Sequence, residues 1–147
     1  MRLSPHFTLA EFTRSDTADK LKIANTPTKA HRSNLQRLAA NLEQVRSRLG
    51  DRPITVMSAY RNPAVNAAVG GVKTSDHAQG HAADIVVAGL SPYETAKRIR
   101  DSDLKFDQLI LETSRGVVHI SFAPRMRQQV LTQAGKAGSA IQQGLWL

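Results

Sequence analysis

The chain has 147 residues, a length that predicts one domain around a single core. It contains no cysteine, which excludes disulfides and thiolate chemistry, so any metal must be held by imidazole and carboxylate groups. Twenty Lys and Arg residues against twelve Asp and Glu residues give a net charge of +8, which favours polyanionic partners such as nucleic acid, anionic lipid or bacterial wall polymer without choosing among them.

The amino-terminal stretch MRLSPHFTLAEF has no apolar run of signal-peptide length, because Glu11 interrupts it. No later stretch approaches the roughly 18 apolar residues that a membrane-spanning helix needs. We therefore expect a soluble protein without a transmembrane segment that starts in the cytoplasm of the producing cell.

The hydrophobic periodicity alternates between helical and strand patterns. The predicted elements are a helix over 26–50, a strand over 53–60, a short helix over 62–71, a polar loop, a strand over 82–89, a helix over 91–102, and two strands over 107–112 and 117–122. In the first helix, Thr26 is the expected N-cap, Pro27 is the first helical residue and Gly50 ends the helix. In the helix over 91–102, Ser91 is the expected N-cap. This order predicts an α+β fold with a small, mainly antiparallel sheet and helices packed on one face.

The last two predicted strands are expected to form a hairpin that carries Glu112 and His119 on one face. If residues 113–116 (TSRG) form the turn, Glu112 pairs with Val117 and Ile110 pairs with His119, and side chains that pair directly share a face. An acid and an imidazole would then lie together among apolar residues, which suits a metal or acid–base site. A solvated hairpin end with an incidental histidine is the alternative.

The loop SDHAQGHAAD adds a possible chelate. Gly80 allows the chain to reverse, so His77 and Asp84 can face one point, and His119 would complete three ligands with an open fourth position, as in catalytic zinc sites. The pair His77 and His81 has the spacing of helical H-E-x-x-H metalloproteases, but Ala78 stands where that motif needs Glu, and Gly80 disfavours a helix. A structural or solvated turn also remains open.

The stretch SAYRNPAVNAAVGGVKTSDHAQGHAADI, followed by FDQLILE and VVHISF, resembles the zinc D-Ala-D-Ala carboxypeptidase family and in particular its phage endolysin branch. Its core pattern S-x-H-x-x-G-x-A-x-D is complete. The resemblance covers residues 4–131, including the opening LSPHFTLAEFTRSDTA, and implies one peptidase domain over 1–147 with a C-terminal tail at 132–147.

The resemblance also implies roles for individual residues. His77, Asp84 and His119 match the three ligands of one zinc ion, and His81 falls at a position that the family pattern leaves variable. Arg61 matches an arginine that reaches the scissile carbonyl oxygen or the substrate carboxylate. Ser75 matches a serine implicated in substrate binding, for which a loop-capping role is the alternative.

One position departs from the family pattern. Many relatives place a catalytic Glu or Asp three residues before the last histidine ligand, where this chain has Gly116. Glu112 is then the best candidate for the general base, since strand parity puts it on the His119 face, whereas Asp107 has the wrong parity. If neither carboxylate serves, the site binds zinc without catalysis.

We therefore expect a monomeric zinc metallopeptidase that hydrolyses peptidoglycan stem peptides, as a D-Ala-D-Ala carboxypeptidase or an L-Ala-D-Glu endopeptidase. The resemblance implies a phage endolysin that reaches the wall on lysis. A non-catalytic zinc-binding module for wall recognition or morphogenesis is the alternative. Specific nucleic-acid binding is not expected, because the basic residues are scattered and only 5% of residues are aromatic.

Overall fold

The structure is a computed structural model that describes residues 1–135 and 141–146. Its helices are α1 (Leu9–Thr13), α2 (Asp16–Leu21), α3 (Lys29–Arg48), α4 (Pro63–Ala68), α5 (Asp76–Gln79) and α6 (Pro92–Arg100). Its strands are β1 (Arg2–Ser4), β2 (Phe7–Thr8), β3 (Ile54–Ser58), β4 (Ala82–Val87), β5 (Gln108–Glu112), β6 (Val117–Ser121), β7 (Gln129–Gln133) and β8 (Ile141–Gln143). Among the described helices, none is both long and apolar enough to cross a membrane.

Helix α3 supplies one wall of the core. Its stripe is fully buried, as its spacing predicts: Leu35, Leu38, Leu42, Val45 and the C-cap Leu49. The predicted start was wrong by two residues, since Thr28, not Thr26, is the N-cap and accepts a hydrogen bond from the backbone of His31. The reason is tertiary: Asn25 donates to the carbonyl groups of Thr13 and Tyr60, which ties down the preceding chain.

The main sheet has six strands in the order β3-β4-β6-β5-β7-β8. All neighbouring pairs are antiparallel except β5 and β7, which run parallel. The predicted hairpin register is confirmed, since Glu112 pairs with Val117 and Ile110 with His119. The α+β architecture with a mainly antiparallel sheet is therefore as the sequence predicts.

The two faces of this sheet differ in character. Side chains on one face join the core with α3 and α6, and they include Val56, Ile85, Val87, Leu109, Leu111, Val118 and Ile120. The opposite face carries Asp84 and His119, which pair across β4 and β6. Strand alternation thus places the candidate site residues on the face away from the main core.

The C-terminal segment contributes to the sheet. Strand β7 crosses the expected boundary at residue 131, and β8 pairs with β7 at the sheet edge through Leu131–Gln143, Thr132–Gln142 and Gln133–Ile141. Residues 136–140 and 147 of the expected tail lie outside the described residues. Within the described part, residues 132, 133 and 141–143 lie in strands.

Candidate metal centre

Helix α5 orients the first histidine. It is a single turn within the predicted polar loop, and the Ser75 hydroxyl caps it by accepting from the backbone N–H of His77 at 3.2 Å. Gly80 ends it at φ +81°, where a Cβ would lie 3.0 Å from the carbonyl oxygen of His31. His77 is buried, and its Nδ1 lies 2.6 Å from the carbonyl oxygen of Ala59. That contact fixes the tautomer with the proton on Nδ1 and leaves the Nε2 lone pair free for a cation.

Strands β4 and β6 supply the other two groups. Asp84 and His119 are directly opposed partners in the antiparallel ladder, so their side chains leave the same face next to each other. Asp84 has no exposed surface and His119 is largely covered. A fully buried carboxylate requires compensating partners, because burial of an isolated charge is costly.

The three groups form a close triangle. His77 Nε2 lies 3.2 Å from Asp84 Oδ1 and 3.2 Å from His119 Nδ1, and His119 Nδ1 lies 3.1 Å from Asp84 Oδ1. These are the residues that could together hold a metal ion among those the structure describes. Tetrahedral zinc with bonds near 2.0–2.1 Å separates its ligand atoms by about 3.3 Å, which is close to these distances.

A neutral His77 leaves the contacts of this triangle unsatisfied. With the His77 proton on Nδ1, its Nε2 is an acceptor, and Asp84 Oδ1 is also an acceptor. A single proton on His119 Nδ1 would leave the contact between the other two atoms repulsive. A cation at the centre satisfies all three lone pairs at once, so the donor set and its geometry fit a divalent metal.

The contacts within the triangle shift the pKa values of Asp84 and His119. Burial alone would raise the pKa of Asp84, yet its contacts with the two imidazoles hold that pKa well below its ordinary value. Burial alone would lower the pKa of His119, but the hydrogen bond and negative charge of Asp84 raise it. Asp84 is therefore ionised, as a metal-binding carboxylate must be.

Arg115 links the triangle to Glu112. It lies in the turn over residues 113–116, and its guanidinium donates to Asp84 Oδ2 at 3.1 Å and to Glu112 Oε1 at 2.9 Å. The Asp84 oxygen that Arg115 holds is the one that does not contact the histidines. Arg115 thus leaves Oδ1 for the metal and places the buried Glu112 carboxylate on the same face of the sheet.

Arg61 is a cation without a carboxylate bonded to it in the described residues. It follows β3, and its backbone N–H donates to the carbonyl of His77 at 3.2 Å. Its Nε is buried and has no hydrogen-bond partner there. Burial lowers the pKa of the guanidinium, and the nearby Asp84 charge partly offsets this. A buried, unsatisfied donor beside the triangle is suited to an oxygen atom of a ligand.

A cleft of about 780 Å³ lies over the triangle, and its two ends differ. The lining toward β3 includes three exposed apolar side chains, Met57, Val69 and Val72, together with the polar segment over residues 14–17. The β7 end presents Gln108, Arg125, Arg127 and Gln133. The triangle lies between them, so the cleft continues on both sides of the candidate metal position.

Comparison with known proteins then decides the family. The peptidase M15 family profile matches residues 5–121, which is most of the chain. The chain belongs to the peptidase M15 family. It is also similar to the zinc D-Ala-D-Ala carboxypeptidase of Streptomyces albus G, with 35% identity over 83 residues. That alignment covers 54% of this chain and 31% of the Streptomyces protein, so the chain spans about a third of that relative's length.

The remaining candidates have defined places in this M15 site. Ser75 caps α5 and also lines the cleft. His81 lies outside the triangle, and its backbone N–H and carbonyl bond to Asp76 and Phe122. Asp107, whose strand parity did not fit the role of a base, is fully buried and accepts two hydrogen bonds from the Arg127 guanidinium. None of the three contributes a donor atom to the triangle.

Arg115 contacts Asp84 of the triangle, but the sequence did not predict it as a site residue. Its position three residues after Glu112 was the available signal, because that spacing lets the two side chains meet across the end of a hairpin. The turn needs Gly116 in the left-handed region at φ +67°, with its N–H bonded to the carbonyl of Glu112. This left-handed backbone accounts for the glycine at position 116.

Proposed function

We propose that this M15 domain is a zinc-dependent peptidase that hydrolyses a peptide bond in the stem peptides of peptidoglycan. The observation that carries the proposal is the closed triangle of His77 Nε2, Asp84 Oδ1 and His119 Nδ1, whose three atoms lie at the spacing of ligands around one divalent cation. Two imidazoles and one carboxylate leave a fourth position open, which is the donor set of catalytic zinc sites. Family membership and the name of the Streptomyces relative support zinc and this substrate class.

When bound, zinc would lower the pKa of a water molecule toward about 7 and polarise the substrate carbonyl. Glu112 is our candidate for the general base, because its carboxylate lies on the face of His119 and lines the cleft. Its Oε2 takes the proton of the attacking water and passes it to the leaving amine, while Arg115 holds Oε1. Arg61 donates to the carbonyl oxygen as negative charge develops there.

Two other carboxylates are already bound by other side chains: Asp76, which lines the cleft, and Asp107, which is fully buried. Asp76 accepts from the Ser121 hydroxyl and from Arg125, each at 2.6 Å, and Asp107 is bound by Arg127. Glu112 therefore remains the carboxylate best placed to move a proton.

The cleft supports endopeptidase action within this proposal. It extends past the triangle toward both β3 and β7, so a peptide can continue on either side of the scissile bond. A carboxypeptidase needs a closed end with a carboxylate clamp on one side. An endolysin role, with access to the wall at lysis, is the biological setting that we propose for this activity.

Digestion of purified peptidoglycan tests the proposal. Zinc-loaded protein should release new amino groups, a chelator should abolish the release, and added zinc should restore it. Mass spectrometry of the products separates an internal cut from the loss of a terminal D-Ala. Digestion that continues unchanged in chelator would refute zinc dependence.

A second candidate is a zinc-binding wall module without catalysis, which Gly116 in the usual place of an acid favours. Such a module would sediment with peptidoglycan in a zinc-dependent way and release no peptide. The same assay thus separates the two candidates, because binding and cleavage are measured on one sample.

A further inference from the structure

The loop between β6 and β7 holds its backbone in an unfavourable conformation. Met126 has φ 41° and Gln128 has φ 57°, and neither is a glycine. A left-handed backbone conformation is uncommon for residues other than glycine, and residues held in it often mark a functional site. These two positions flank Arg127 and follow Arg125, so the strain falls on the segment that carries both arginines.

Specific hydrogen bonds hold this loop in place. The Gln128 side chain accepts from the backbone N–H of Phe106 at 3.1 Å and donates to the carbonyl of Leu104 at 2.8 Å. Its backbone N–H donates to the Phe106 carbonyl at 3.0 Å. The loop is therefore fixed against the chain that leads into β5, and this anchor offsets the backbone cost.

The fully buried Asp107 and the largely covered Asp76 orient the arginines from the protein side. Asp107 Oδ1 accepts from Arg127 Nε at 2.8 Å, and Asp107 Oδ2 accepts from Arg127 Nη2 at 2.9 Å and lies 3.2 Å from Arg125 Nη2. Asp76 receives Arg125 Nη2 at 2.6 Å. The acids are covered, whereas the side chains of Arg125 and Arg127 are 50% and 37% exposed and line the cleft.

This arrangement leaves hydrogen-bonding capacity toward the cleft. A guanidinium carries five N–H donors in a planar fork, and the bonds to the acids use Nη2 of Arg125 and Nε and Nη2 of Arg127. The remaining donors are held in place before any ligand arrives. Preorganised donors bind more tightly because less side-chain entropy is lost on binding.

We propose that Arg125 and Arg127 form a carboxylate-binding subsite at the β7 end of the cleft. It takes an acidic group of the peptide substrate, at a distance from the bond that is cut, and is separate from the contact assigned to Arg61. Planar, paired donors match the two oxygens of a carboxylate. The inference rests on the proposed function, and it specifies how the substrate lies: its acidic part over β5 and β7, its apolar part toward Met57 and Val72.

The test compares peptides that differ by one functional group. A peptidoglycan stem peptide and derivatives with a single carboxyl converted to a carboxamide are hydrolysed by zinc-loaded wild type and Arg125→Gln. Arg125 is chosen because Arg127 then remains to pair with buried Asp107. One conversion should raise the wild-type KM at least about tenfold, the scale of a hydrogen bond to a charged group, and this ratio should fall below about threefold in Arg125→Gln.

Arg14→Gln is the matched control. Arg14 lines the same cleft, its side chain is also 50% exposed, and it pairs with an exposed acid, Asp16. This variant removes the same charge and should keep the wild-type ratio. The subsite is refuted if no conversion discriminates in wild type, if Arg125→Gln keeps the ratio, or if Arg14→Gln loses it equally.

A binding measurement separates this inference from the proposed function. Titration of the same peptide pair onto the metal-free protein gives a ratio of Kd values without any hydrolysis. If wild type cleaves no peptide yet binds the carboxylate form at least about tenfold more tightly and Arg125→Gln does not, the peptidase proposal fails and the subsite stands. If wild type cleaves the peptide but shows the same KM and the same Kd for the carboxylate and carboxamide forms, the peptidase proposal stands and the subsite is refuted.

Discussion

Arg115 Nη2 lies 3.1 Å from Asp84 Oδ2, the carboxylate oxygen turned away from the two histidines. Asp84 is fully buried, so its orientation depends on the groups that reach it. One oxygen faces the histidine nitrogens and the other faces the arginine. Asp84 can therefore offer a metal one oxygen, Oδ1. The same Arg115 guanidinium also binds the proposed base, Glu112.

Arg115→Gln should therefore weaken zinc binding by about 10- to 100-fold, the usual effect of losing a partner that orients a ligand. Loss of a nearby positive charge acts in the opposite direction, so Arg115→Lys is the informative companion. Lysine keeps the charge but cannot bridge two carboxylates in a planar fork. Competition titration against a chromogenic chelator measures both variants, and wild-type affinity in both would show that Arg115 does not position Asp84.

The metal ligands give the most direct prediction. His77→Ala, Asp84→Ala and His119→Ala should each reduce bound zinc from one ion per chain to nearly none, because each removes one of three donor atoms. His81→Ala is the control and should retain the metal, since His81 contributes no donor atom to the triangle. Elemental analysis of folded, gel-filtered protein provides the measurement. Metal loss in His81→Ala with retention in Asp84→Ala would contradict the assignment.

The sequence predicted which candidate residues lie together, but it did not predict Arg115 or strand β7 beside them. Strand parity and the hairpin register place His119 and Glu112 on one face, and the loop pattern supplies His77 and Asp84, because these relations are local. Arg115 was missed because the direction of a turn side chain depends on the left-handed backbone at Gly116. Strand β7 was missed because its parallel pairing with β5 joins segments that are distant in sequence and carry little pattern of their own.

Glu112→Gln should keep zinc and lose at least about a hundredfold in kcat, the usual scale of general-base loss. The amide preserves the size of the side chain and can still accept a hydrogen bond from Arg115, so the hairpin end should remain folded. Steady-state kinetics on a soluble stem peptide, with zinc content measured on the same sample, checks this. Near-normal kcat would move the search for the base to Asp76 or Asp107.

Asp107 gives a prediction about stability and pH. Hydrogen bonds from Arg127, assisted by the charge of Arg125, hold the pKa of Asp107 below its ordinary value although burial opposes this. An unfolded Asp titrates near pH 3.9, so this stabilisation is complete above that pH and is lost as the pH falls through the lower folded pKa.

Asp107→Asn should accordingly unfold at lower urea concentration than wild type near pH 6, and the difference should shrink as the pH falls toward about 2. Urea unfolding at several pH values provides the free energies. A constant difference between the two proteins across this range would show that Asp107 stabilises the loop through packing rather than charge.

Arg61 is the remaining test of the proposed chemistry. Its Nε is buried without a hydrogen-bond partner in the described residues, and burial lowers the pKa of the guanidinium. Both effects lower the stability of the folded protein. Arg61→Lys keeps a charge but replaces the fork by a compact ammonium group. We expect a folded protein with normal zinc content that loses most of its activity, chiefly in kcat, because the contact with the carbonyl oxygen strengthens as charge develops there. A loss confined to KM would instead make Arg61 a carboxylate clamp and favour a carboxypeptidase. Full activity of Arg61→Lys on purified peptidoglycan would remove Arg61 from the mechanism.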